Sequence, residues 1–539
     1  MQLLLADAVR HPLLLLLAEV RTQLQELQRL LEKPGAALAQ GLLRRRGQPH
    51  QLAHRVQQRA LEQLHASTDG HLLPSVRAAG DTADELERIA TLCREAAREA
   101  LQLEGQRLQR PQRYIKRLQQ VDQTLQQLEQ LISTPDAHEI LRISRVQRKL
   151  TRFYQRVRKA HLKALKQQEN PELLIISLFL ARHIHEMGQA LVSICESLIS
   201  VLLGQPMSPA QLRSLKSMMT QLGVEPDWQG LSLAPLAETR SGNSIAALAS
   251  EAGTGSMIGV LKEGELHKVK EEKRGLRQWN SLFPGIAPQI LSHHDQGDSA
   301  SLIIEHLPGL TFERLLLQED APALQAGMTH LLALLPQVWE ATLQSRPISG
   351  QYMRQLGKRL PSVYNVHPEF RRWQQQAMTL ADLLQAAGQL EQKAPAPFSV
   401  YIHGDFNLDN LLYDAREEKV RFIDLHRSRQ MDYVQDVSVF MVSCLRLPLF
   451  ESESRQRARQ TAWQMFDMAQ AFASAHQDDG FELRMTLGLG RSLITSTRYL
   501  LDRAHARELF EQGCRLLLAL HQQKPNKPLQ IHLKEWLHG

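Results

Sequence analysis

From the start of the chain to about Pro226, apolar residues recur at three- and four-residue spacing. Ile115, Leu118, Val121, Leu125, Leu128 and Ile132 fall on one face of a helix at that spacing. Pro34-Gly35, Pro74, Pro111, Pro135 and Pro171 interrupt the pattern at intervals that suit antiparallel helices joined by short connections. The pattern predicts a helical bundle over 1–205. Residues 206–240 carry Pro206, Pro209, Pro226 and Pro235 around a helical run from Leu212 to Met219, and read as a linker with a short helix.

The period then shortens. Ser244 to Ala252, Met257 to Lys262 and Ser301 to Leu307 are short apolar runs bounded by Gly, Asp or Pro, as strands are. From Thr311 the helical pattern returns to the end, broken by two apolar runs, Phe398 to Ile402 and Val420 to Leu425. Residues 241–307 are therefore expected to form a small antiparallel sheet with one helix, and 308–539 a helical lobe. The fold class is α+β: an all-α bundle followed by a bilobal unit.

A length of 539 residues requires more than one folded unit. The net charge of +7 is compatible with an anionic partner but names none, and nothing in the sequence points to nucleic acid. Cys93, Cys195, Cys444 and Cys514 lie far apart, without metal-ligand or redox spacing, so buried thiols and a cytoplasmic address are expected. The apolar run Leu13 to Leu17 is preceded by Asp7 and closed by Glu19 and Arg21, unlike a signal peptide. No apolar run reaches the roughly 18 residues of a transmembrane segment.

The chemistry concentrates late in the chain. His403-Gly404-Asp405-Phe406-Asn407-Leu408-Asp409-Asn410 follows one apolar run, and Asp424 closes the next. Phosphoryl transfer needs an acceptor for a hydroxyl proton, metal ligands and positive charge on the phosphates. Asp405 suits the first role. Asn410 and Asp424 offer the hard oxygens that magnesium prefers. No Walker A sequence occurs. His183, His185 and Glu186 miss the zinc-protease spacing because Gln189 stands where the second His belongs, and His293-His294-Asp295 reads as a solvated loop.

The two late motifs, in this order, resemble the aminoglycoside-phosphotransferase and choline-kinase superfamily, related in fold to protein kinases, from about Ser241 onward. The resemblance implies ATP and Mg2+ as cofactors, and a role for His403 in orienting the loop of Asp405. It assigns the nucleotide-phosphate lysine to Lys262, with Lys268 and Lys270 as rivals, and its acidic partner to Glu272 rather than Glu271. Ser241-Gly242-Asn243-Ser244 would cover the phosphates, while Gly253-Thr254-Gly255-Ser256 reads as a hairpin turn. Glu305-His306-Leu307 matches the hinge whose backbone meets adenine, and Asp436 the acid that braces the catalytic loop. Ile423-Asp424-Leu425-His426-Arg427 is similar to kinases of lipopolysaccharide core sugars. Arg427 then either grips an anionic substrate or is a structural arginine paired with Asp432 or Asp436.

Asp84-Glu85-Leu86-Glu87-Arg88-Ile89-Ala90 is echoed by Ala181-Arg182-His183-Ile184-His185-Glu186-Met187-Gly188. Both runs resemble PhoU, the helical regulator associated with phosphate uptake, which implies two three-helix repeats. Thr91 and Gln189 stand where that motif carries Asp, and His185 where it carries Glu, so the resemblance implies no metal site here. The expected function is an ATP- and magnesium-dependent kinase acting on a hydroxyl of a small-molecule or sugar-type substrate. Its helical domain would regulate it, dock a protein partner or self-associate. The alternative is a nucleotide-sensing regulator linked to phosphate homeostasis.

Overall fold

The computed structural model describes residues 5–66, 72–103, 108–167, 170–224, 228, 231–238, 244–250, 256–318, 321–449 and 451–522. They form two compact units, one made of 1–264 with 291–303 and the other of 265–290 with 304–539.

The first unit opens with the helices α1 (Asp7–Glu32), α2 (Ala36–Arg44), α3 (Gly47–His65) and α4 (Leu72–Leu101). The same long-short-long-long order returns as α5 (Gln112–Ser133), α6 (Ala137–Ile143), α7 (Arg145–Leu165) and α8 (Pro171–Leu203). The repeat expected from the sequence echo is thus visible in element lengths, and α4 and α8, which carry the two echoing runs, pack against each other. The starts and stops follow local chemistry. The Asn170 side chain accepts from the Leu173 N–H, Pro171 begins α8 where its missing N–H costs nothing, and Gly204 ends it at φ +77°. α8 is long and apolar enough to cross a membrane by composition, and much of that apolar stretch is buried inside the unit.

Helix α9 (Pro209–Gln221) leads into β1 (Leu231–Glu238), β2 (Ser244–Ser250) and β3 (Ser256–Glu265). Helix α10 (Leu266–Leu282), β4 (Ile290–Gln296) and β5 (Ser299–Ile304) follow. The sheet order is β1-β2-β3-β5-β4, with β1-β2 and β2-β3 antiparallel. The first strand lies inside the 206–240 stretch expected to be a linker: Leu231 and Leu233 alternate inward, a short pattern that Pro235 hid. His293, His294 and Asp295, expected in a loop, are on β4.

Part of the sheet's buried apolar surface joins the bundle core. Trp228, Leu231, Leu233, Leu248, Leu261 and Ile303 belong to the same buried cluster as Val20, Leu86, Leu118 and Leu191 of the bundle. Polar contacts reinforce that seam. Ser208 and Gln211 form a capping box at the start of α9, and the Gln211 Nε2 also donates to Glu263 Oε2 on β3 at 2.7 Å. Ser301 Oγ on β5 donates to the other Glu263 oxygen at 2.9 Å. Burial raises the Glu263 pKa, and these two donors oppose the rise.

The second unit adds β6 (Leu310–Thr311) and the helices α11 (Phe312–Leu317), α12 (Ala321–Thr342) and α13 (Tyr352–Val366). A short hairpin, β7 (Gln374–Gln375) with β8 (Met378–Thr379), precedes α14 (Leu380–Lys393). Then come β9 (Val400–Ile402), β10 (Leu411–Asp414), β11 (Lys419–Phe422) and β12 (Arg429–Met431). The helices α15 (Val434–Leu445), α16 (Ser452–Ala475), α17 (Phe481–Ser496) and α18 (Arg503–Gln522) complete it. β10 pairs antiparallel with β11 and β6, and β12 with β9.

A buried ion network ties these helices together. Arg484 Nε lies 2.8 Å from Asp432 Oδ2 and its Nη2 lies 2.6 Å from Asp478 Oδ2. The hydroxyls of Tyr352 and Tyr433 donate to the same two acids at 2.9 and 2.7 Å. Removing the cation strands two desolvated carboxylates, so Arg484→Met is expected to cost about 3–5 kcal/mol in urea unfolding. In the first unit, Gln211→Ala is expected to cost about 1–3 kcal/mol, because a cap is lost and a buried carboxylate loses a donor. Hydrogen exchange of that variant should show β3 and α9 losing protection together.

Candidate active site

The residues between β9 and β10 form a tight loop that closes on a short 3-10 turn, Leu408–Asn410. Asp436, 2% exposed at the start of α15, holds the loop from beneath: its Oδ2 accepts from the His403 N–H at 2.7 Å and its Oδ1 from the Gly404 N–H at 2.8 Å. Burial pushes the Asp436 carboxyl up to about 7, with the two N–H bonds pulling the other way. Gly404 has φ +85°, and a Cβ there would run into the carbonyl of Arg427, so the turn requires glycine.

His403 is buried between the two motif strands. Its Nε2 lies 2.9 Å from the Ile423 carbonyl, and its Nδ1 accepts from the Asp405 N–H at 3.3 Å. One nitrogen must donate and the other accept, which is the neutral tautomer with the proton on Nε2. Burial agrees, pushing its pKa down to about 4. His403 therefore links the backbone beside Asp424 to that of Asp405.

Asp405 is partly exposed. Its Oδ1 accepts from Asn407 Nδ2 at 2.8 Å, and its Oδ2 lies 2.9 Å from Arg427 Nη1. Asn410 donates its Nδ2 to the Asp405 carbonyl at 2.8 Å, and its Oδ1 could serve a cation. The Ile423 N–H returns to the Asn410 carbonyl at 3.0 Å, so the two motifs are stitched through main chain. Asp424 follows with φ +63°, a strained conformation for a residue with a side chain, costing on the order of 1–3 kcal/mol. Its Oδ1 lies 3.2 Å from His426 Nδ1. Burial alone would lower the His426 pKa, but the Asp424 bond and charge outweigh it and the pKa is raised.

Helix α10 supplies the back of this loop. Gly275 faces the Leu425 carbonyl so closely that any Cβ would collide with it. Trp279 Nε1 donates to Ser428 Oγ at 2.8 Å, and Ser428 Oγ donates to the His403 carbonyl at 3.2 Å. The close approach places Glu272, 4% exposed, with its carboxylate beside Asp424 and His426, all three offering ligand atoms within 4.8 Å of one another. Carboxylate and amide oxygens suit a hard divalent cation, so the set of Asp424 and Asn410, with Glu272 nearby, fits magnesium.

The remaining sequence-picked residues fall as follows. Lys262 is on β3 of the first unit, opposite Ile245 of β2. Gly242 and Asn243 lie outside the described residues, as do Ser241 and 253–255, while Ser244 opens β2. In the hinge stretch, the Glu305 N–H already donates to the Gln289 carbonyl at 2.9 Å, and His306 and Leu307 are half-buried. Arg427 pairs with Asp405 rather than with Asp432 or Asp436. Those two acids are already saturated, Asp432 by Arg484 and Tyr352 and Asp436 by backbone N–H groups. Sequence reasoning missed Arg359 on α13 and Arg491 on α17, both of which interact electrostatically with Asp405. The one signal was an arginine on the apolar side of α17, within Leu487-Gly488-Leu489-Gly490-Arg491.

In the bundle, His185 stacks on Tyr154 at 5.2 Å and lies 3.3 Å from Thr151 Oγ1, while His183 lies 3.6 Å from Glu95.

No curated protein sequence matches the chain. Solved structures similar to parts of it include PhoU from Streptococcus pneumoniae, 16% identical, covering 37% of this chain and 96% of that one with a TM-score of 0.36. An aminoglycoside-3'-phosphotransferase of type VIII is 16% identical over 51% of this chain and 97% of its own, with a TM-score of 0.32. An ethanolamine kinase from Plasmodium vivax is 11% identical over 60% of this chain and 91% of its own, with a TM-score of 0.38. The sequence of residues 262–471 matches the family described as the phosphotransferase enzyme family.

Proposed function

We propose that the chain is an ATP- and magnesium-dependent kinase that phosphorylates a hydroxyl group of a small-molecule or sugar-type substrate. The observation that carries this reading is the single hydrogen-bonded frame in which Asp436 and His403 fix Asp405, Asn410 and Asp424 together. Asp405 takes the proton of the acceptor hydroxyl, and Asn407 holds its Oδ1 while Oδ2 is directed towards Arg427. Asn410 and Asp424 hold magnesium, which when bound offsets the charge of the nucleotide phosphates. Lys262 carries the positive charge for the nucleotide, with Glu272 as the acid of α10, and the backbone of Glu305 to Leu307 meets adenine. His403 stays neutral and takes no proton from the substrate.

The helical bundle acts as the regulator in this reading. It and the strand bearing Lys262 share one apolar core, and α9 hydrogen-bonds to Glu263, the next residue along β3. A ligand or partner that repacks the bundle therefore acts on that strand directly.

Asp405→Asn keeps the shape and loses the base, so kcat is expected to fall by about 10²–10⁴ while nucleotide still binds; steady-state turnover with titrated nucleotide binding checks this. The state of His403 is testable on its own. A histidine with a lowered pKa contributes fully to stability above its unfolded value of 6.5, and that contribution is lost as pH falls towards about 4. Asp436, raised to about 7, has the opposite sign, since it gains stability as pH falls, and a bulk unfolding curve mixes the two. Ring-nitrogen NMR separates them: His403 should remain the Nε2–H tautomer from pH 8 to pH 5, and titration near 6.5 would refute the assignment.

A further inference from the structure

Around Asp405 stands a group of arginines. Arg427 is 2.9 Å from the Asp405 carboxylate and half-exposed. Arg359 on α13 is repelled by both Arg498 and Arg427 and attracted by Asp405, so these four groups share one electrostatic neighbourhood. Arg498 sits in the 3-10 turn Thr497–Tyr499 that follows α17, with its guanidinium over the Tyr499 ring. α13 packs against both α17 and that turn.

Behind them lies Arg491 on α17, 2% exposed. It donates to Gln435 Oε1 at 3.0 Å and to Ser438 Oγ at 3.4 Å, lies 5.6 Å from the Tyr352 ring, and its Nε has no hydrogen-bond acceptor among the described residues. A guanidinium buried without a carboxylate of its own is costly, and it adds a fixed positive field. The acids on neighbouring elements each have hydrogen-bond or ion-pair partners of their own. Asp436 is held by two backbone N–H groups, Glu391 on α14 by those of Tyr352 and Met353, and Asp432 by Arg484. Asp405 is left to face Arg427 and Arg359, and Arg498 adjoins Arg359.

We propose that the hydroxyl acceptor carries an anionic oxygen group, a phosphate or a carboxylate, held by Arg359, Arg427 and Arg498 beside Asp405. The proposal rests on Asp405 being the base, and it excludes acceptors whose recognised group is an amine. A guanidinium presents a planar fork that matches either anion in a bidentate way, whereas an ammonium-bearing acceptor would meet like charge. On binding, the anion takes over Arg427, which frees Asp405 Oδ2 for the hydroxyl proton.

The test uses the full chain saturated with magnesium and a non-hydrolysable ATP analogue, so that phosphates cannot report on the nucleotide site. Glucose 6-phosphate, gluconate, glucose and glucosamine are titrated by calorimetry. One or both anionic sugars should bind at least about tenfold more tightly than glucose or glucosamine, as charge-assisted hydrogen bonds imply. Arg359→Gln and Arg498→Gln should each remove most of that preference while the analogue still binds, and Arg359→Lys should restore part of it. Phosphate alone, carboxylate alone or both retained as ligands identifies the anion. Equal or absent binding of the anionic sugars, or a preference unchanged in both Gln variants, overturns the proposal. With ATP in place of the analogue, arginine-dependent anion binding without phosphoryl transfer would keep the anion site and sink the kinase reading, whereas transfer to glucosamine would sink only the anion site.

Discussion

The catalytic loop depends on one buried carboxylate. Asp436 accepts the backbone N–H groups of His403 and Gly404, and nothing else among the described contacts fixes both peptides at once. That clamp sets the left-handed turn at Gly404, which brings the loop against the Arg427 carbonyl, and it places the His403 ring so that its two nitrogens bridge Ile423 and Asp405. The placing of the partly exposed Asp405 thus follows from an acid that is almost wholly buried. Burial costs Asp436 a good deal, as its raised pKa shows, and the two N–H bonds are what make its charged form tolerable.

Helix α10 extends the same logic. A helix can approach a strand end this closely only where it lacks a side chain, and Gly275 supplies that gap. The approach then aligns Trp279 with Ser428 and Glu272 with Asp424 and His426. In the first unit a comparable dependence runs between bundle and sheet, because Leu231, Leu233, Leu248, Leu261 and Ile303 of the strands belong to the bundle's apolar cluster.

How much of this was legible in the sequence depends on how local each feature is. His403, Asp405, Asn410 and Asp424 lie on two short segments whose spacing is fixed by adjacent strands, so the motif is readable without the fold. The long helices, too, announce themselves by period, and their repetition by the echo between α4 and α8. β1 was missed because a strand buried through two leucines and interrupted by Pro235 has no clear alternation. The partner of Arg427 stayed open because Asp432 and Asp436 are near in sequence and Asp405 is not, and only the structure shows that Asp432 and Asp436 have partners of their own. Arg359, Arg491 and Arg498 converge from α13, α17 and the turn beyond it, and no local pattern records that meeting.

The most direct test of the central claim, that this loop moves a phosphoryl group onto a hydroxyl, is to follow the γ-phosphate itself. The full chain, magnesium and γ-labelled ATP are incubated with a small-molecule cell extract, and the labelled products are separated. The account predicts label in an acid-stable phosphate ester formed by the wild type and absent with Asp405→Asn. Label that stays in ATP or appears only as inorganic phosphate, with nucleotide still bound, would contradict it.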